Sequence, residues 1–73
     1  MQVSGELDSS GTTFLGHVTS DKVALPGVNI TVKGKTKKTV SDFDGNFEIK
    51  AKKGDVLIVQ YVGMHTVNFE IKE

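Results

Sequence analysis

Three oxygen-bearing side chains crowd around one glycine in Asp42-Phe43-Asp44-Gly45-Asn46, and oxygen donors at a tight turn are what a hard cation such as calcium requires. The pattern stops short of a full calcium loop. A bidentate Glu is needed well downstream, and Glu48 follows too closely to serve. Asp and Asn also cap turns with their own side-chain oxygens, so a hydrogen-bonded turn is preferred over a cation site on Asp42, Asp44 and Asn46. His17 and His65 are the only imidazoles. Neither stands in a metal-ligand spacing, and no G-x-S-x-G element supplies a nucleophile, so the expectation is no catalytic residue, no cofactor and no metal.

Lysine is the other chemistry-bearing residue. Lys33, Lys35, Lys37 and Lys38 gather around one loop, and Lys50, Lys52 and Lys53 around another. Such clusters commonly form a solvated, edge-protecting surface. Here they also suit an acidic protein partner, with Lys35, Lys37, Lys38, Lys52 and Lys53 as the contact candidates. Nucleic acid is a poor fit, because every cation is Lys, and the bidentate capture of phosphates and guanine edges is arginine chemistry. One Tyr and four Phe, all expected in the core, leave no stacking platform for single strands. Lack of Trp argues against direct sugar stacking. A Lys–Asn isopeptide crosslink is set aside because Lys33 and Lys50 fall in outward phase.

The elements that position these groups must be small. A chain of 73 residues with 37% apolar and 25% charged composition makes one domain of modest stability, with little room for a deep cleft. Net charge is +0, so no whole-molecule field draws it to nucleic acid or acidic lipid. The absence of Cys excludes disulfides, thiolate catalysis and cysteine-ligated zinc. No apolar run is long enough for a membrane helix, so membrane insertion of this stretch is not expected.

Residues 1–12, rich in Gly, Ser and acidic groups, read as a flexible leader or expression remnant, and residues 13–73 as a β-sandwich domain. Alternation defines the strands. Val28, Ile30 and Val32 share one face, Phe47 and Ile49 another, and Val67, Phe69 and Ile71 a third. Phe14 to Val18 adds a strand, and the nearly continuous run Val56 to Val62 reads as central in its sheet, with Leu57, Val59 and Tyr61 inward. No segment carries a helical period. Asp44-Gly45 predicts a two-residue type I′ hairpin placing Val40 opposite Ile49. With a three-residue loop Gly34-Lys35-Thr36, Val40 also faces Ile30 in the core. Turn signals at Pro26-Gly27, Lys53-Gly54-Asp55 and Gly63 complete a meander of short antiparallel strands.

Four pieces in order, Gly16-x-Val18, Leu25-Pro26-Gly27-Val28 with x-Ile30-x-Val32, Thr39 to Phe47, and Gly54-Asp55-x-Leu57 leading to Tyr61-Val62-Gly63, carry a family resemblance. The chain resembles the carboxypeptidase-regulatory-like domain, particularly the N-terminal extension of SusC-type TonB-dependent outer-membrane transporters of Bacteroidetes. It departs from the family pattern at Met64, where an aromatic is common, and at Lys38, where Gly is common.

The resemblance implies an all-β, transthyretin-like (prealbumin/Ig-like) antiparallel sandwich of about six to seven short strands. It also implies a non-enzymatic accessory role on the periplasmic side of the outer membrane. The expected partners are the remainder of a parent transporter chain and periplasmic or outer-membrane proteins. With no plug or barrel in these residues, the chain by itself is not expected to transport anything. The alternative is a related module of a surface or secreted protein that binds carbohydrate or protein.

Overall fold

The computed structural model describes residues 1–72, and Glu73, the last residue of the expected sandwich, lies outside them. Alternating apolar and polar side chains sort the chain into β1 (Gln2–Leu7), β2 (Thr13–Ser20), β3 (Val23–Ala24), β4 (Asn29–Val32), β5 (Lys38–Val40), β6 (Asn46–Lys50), β7 (Val56–Gln60) and β8 (Val67–Glu70). Among the described residues there is no helix. All pairings are antiparallel. One sheet is built on β2, which pairs with β1, β3 and β6; the other runs β5-β4-β7-β8. The protein is thus a small all-β sandwich.

The core lies between the sheets. Phe14, Val18, Phe47 and Ile49 come from the first, and Val28, Ile30, Val32, Leu57, Val59 and Ile71 from the chain of the second. Phe14 is the hub, its ring 6.0 Å from that of Phe47 and 5.6 Å from that of Phe69 in tilted arrangements that suit the ring quadrupoles. Gly16 completes the layer. The Phe47 ring lies over it so closely that a Cβ there would stand inside the ring, which explains a glycine in mid-strand. The expected inward positions Leu57 and Val59 are buried, Tyr61 is half-buried against the core, and β7 is central between β4 and β8.

Several expectations fail for identifiable reasons. The connections are not a meander, because β6 leaves the β5 side to pair with β2, and β4 pairs with β7. Residues 1–12 contain β1, a strand along six positions of β2 with Val3 and Leu7 packed against the core, rather than only a flexible leader. Together with the two-residue β3, this raises the strand number among the described residues to eight. The N-terminal alternation is diluted by Ser and Gly, so its apolar phase is faint.

The type I′ hairpin falls elsewhere, at Asp21-Lys22 between β2 and β3, where both residues take positive φ, 51° and 69°. Asp42 to Gly45 instead carries the chain from one sheet to the other. Consequently Val40 faces neither Ile49 nor Ile30: Thr39 is the partner of Ile30, and Val40 is 55% exposed. The inward position after Thr39 goes to Ser41, because its hydroxyl donates to the Leu25 carbonyl (2.7 Å) and accepts from the Val28 amide (2.9 Å). Two backbone groups of the preceding loop are satisfied that valine could not serve. The β4–β5 loop accordingly spans Lys33 to Lys37, not three residues.

Candidate functional site

The strands place loops at two ends of the sandwich. At one end lie the β1–β2, β4–β5 and β6–β7 loops, and here the two lysine groups meet. Lys35 and Lys37 from β4–β5, Lys50 at the end of β6 and Lys52 from β6–β7 line one shallow, open depression of about 180 Å³ with Thr12, Ala51 and Asp55.

Asp55 organises it. Its Oδ2 accepts from the Lys52 amide at 3.1 Å and lies 3.6 Å from Lys35 Nζ, while the Asp55 amide closes the turn on the Lys52 carbonyl. The Lys52 amide and the Lys35 charge hold the Asp55 carboxyl below its usual range. Lys50 Nζ reaches Thr13 Oγ1 at 3.4 Å. Of the contact candidates, Lys35, Lys37 and Lys52 are therefore brought together. Lys53 is exposed in the same turn as Lys52, and Lys38 lies apart, against Asn29, Thr31 and Gln60 on sheet β5-β4-β7-β8. Lys50 joins the cleft because β6 ends beside the turn that carries Lys52.

The other end carries the Asp42 turn. Asp42 Oδ1 accepts from the amides of Asp44 and Asn46, each at 2.9 Å, and the Gly45 amide donates to the Asp42 carbonyl at 2.9 Å. Gly45 takes φ 78°, and a Cβ there would strike the Val18 carbonyl oxygen at 2.5 Å. His17 Nε2 lies 2.7 Å from the Asp44 carbonyl oxygen. A carbonyl only accepts, so that nitrogen carries the proton and His17 braces the turn. His65 sits exposed in the β7–β8 loop, on the other sheet. No group of three or more His, Cys, Asp or Glu able to hold a metal occurs among the described residues.

Sequence reasoning missed one feature at this end. Phe43, counted with the core, is 91% exposed. Its position between two aspartates of a turn was the available signal.

Residues 14–73 match the CarboxypepD_reg-like domain family. The chain belongs to that family. The CarboxypepD_reg-like domain is 51% identical over 37 residues to the TonB-dependent receptor SusC of Bacteroides thetaiotaomicron, covering 51% of this chain and 4% of the receptor. It is 46% identical over 48 residues to the TonB-dependent receptor P26 of Formosa agariphila, covering 66% of this chain and 5% of that receptor. The TonB-dependent receptor P39 of the same organism is 40% identical over 61 residues, 82% of this chain and 6% of the receptor. The domain thus spans about one twentieth of the length of these relatives. No solved structure matches it.

Proposed function

We propose that this domain is a non-catalytic accessory module on the periplasmic side of the outer membrane, carried by a TonB-dependent transporter of glycans or other large nutrients. The observation that carries the reading is its similarity to a small part of several TonB-dependent receptors. A folded unit of this size within a chain some twenty times longer contributes contacts, and the lysine cleft is where its chemistry is concentrated. Lys35, Lys37, Lys50 and Lys52 around one anchored carboxylate suit an acidic surface on the parent chain or on a periplasmic protein. Such rim charges set orientation and encounter rate more than affinity.

Zero-length carbodiimide crosslinking on intact outer membranes, read by mass spectrometry, tests this. Crosslinks are expected from Lys35, Lys37 or Lys52 to Asp or Glu of the same long chain or of a neighbouring periplasmic protein. Absence of crosslinks from all the cleft lysines, with the domain folded, would overturn the contact role. A peptidase or adhesin encoded downstream of residue 73 would overturn the transporter assignment.

A further inference from the structure

A second depression, of about 630 Å³, lies on the side of the sandwich where β5 and β6 come together, and its chemistry is opposite to that of the lysine cleft. Its lining includes Leu15 and Val40, 44% and 55% exposed, with Asp42, Glu48, His17 and Asn46. No lysine lines it, whereas the lysine cleft has four and the depression on sheet β5-β4-β7-β8 has Lys38. Two apolar side chains within an acidic rim form a complementary surface for a partner that is apolar and cationic at once.

The backbone defines the shape of that partner. The Val18 amide donates to the Gly45 carbonyl and the Ala51 amide to the Thr12 carbonyl, which fixes the alternation along β6 so that Phe47 and Ile49 bond β2. Glu48 therefore turns its N–H and C=O away from β2. On β5, the Ser41 amide donates to Val28 and the Val32 amide to Lys37, so Thr39 bonds β4 and Val40 turns its backbone outward. Strand β6 pairs only with β2 and β5 only with β4 among the described residues. Both open edges border the depression, and open edges accept an added strand. The Asp42 turn beside it is held by its own hydrogen bonds and by His17, so this end of the groove is set before any partner arrives.

We propose that this groove docks an extended protein segment whose apolar side chains cover Leu15 and Val40 and whose Lys or Arg side chains meet Asp42 and Glu48. The site is separate from the lysine cleft, so its test is independent of the crosslinking above. The probe is a capped seven-residue peptide alternating Lys and Val, titrated into the ¹⁵N-labelled domain, with Glu–Val and Lys–Ser peptides of equal length as controls. Amide shifts are expected at Leu15, His17, Val40 and Glu48 with the Lys–Val peptide and with neither control. Glu48→Lys should weaken binding roughly fivefold, the scale of one exposed ion pair, and leave the melting temperature unchanged. Silence at these amides up to millimolar peptide would overturn the proposal, as would shifts confined to the lysine end or undiminished affinity of Glu48→Lys. Shifts at the same amides on raising domain concentration without peptide would assign the groove to a second copy and also overturn it.

Discussion

Phe43 and Phe47 stand four residues apart and have opposite environments. Phe47 is buried, stacked over Gly16 and tilted against Phe14, whereas Phe43 projects from a turn fastened beneath it by the Asp42 carboxylate. Phe47→Ala should cost about 3 to 5 kcal/mol through lost burial and the cavity left behind. For a domain this small, that is most or all of its stability. Phe43→Ser should change stability by no more than about 0.5 kcal/mol, as exposed substitutions do. Urea unfolding of both variants checks the contrast, and comparable losses would show that the turn packs inward. Sequence alone assigns both rings to the core, because aromatic character is visible in the residue and exposure is not.

At the scale of elements, the β6–β7 turn is tied by a titratable group. Asp55 accepts the Lys52 amide and faces Lys35, and its carboxyl is held below the ordinary 3.8. A lowered folded-state pKa gives stability that is complete above the unfolded value and disappears as pH falls through the folded one. Asp55→Ala should therefore cost about 1 kcal/mol at pH 7, the worth of a typical hydrogen bond. The difference from wild type should narrow steadily below the normal carboxylate range, as followed by denaturant unfolding at neutral and acid pH. A difference independent of pH would mean that only turn geometry was lost.

This turn was legible in Lys53-Gly54-Asp55, as were the strands around Ile30, Phe47 and Phe69 from their period-two alternation and the strand around Leu57 from its nearly continuous apolar run. Strand pairing was not. Val40 and Ser41 exchange the expected inward position because a buried hydroxyl answers two backbone groups thirteen and sixteen residues away, a relation no local pattern contains. The Asp-Gly signal likewise marks a turn without saying whether it joins two strands of one sheet or passes between sheets. The lysine site was half legible: the residues were evident, but their convergence depended on which loops share an end.

Across the whole molecule, 31 × 23 × 17 Å in extent, zero net charge conceals a local clustering of charge. One end gathers Lys35, Lys37, Lys50 and Lys52, the other carries the Asp42 turn, and the groove with Glu48 on its rim runs along the side between β5 and β6. Exposed Phe43 and Val62, the latter 92% exposed, lie in loops at this second end. The two proposed contacts together would hold the domain between two partners of unlike charge. The most direct test places Lys37→Glu and Lys52→Glu together in the TonB-dependent receptor proposed to carry the domain, and measures nutrient uptake. Uptake should fall severalfold while receptor abundance in the outer membrane and the melting temperature of the isolated domain stay unchanged. Uptake equal to wild type under those conditions would contradict a contact role for the lysine end.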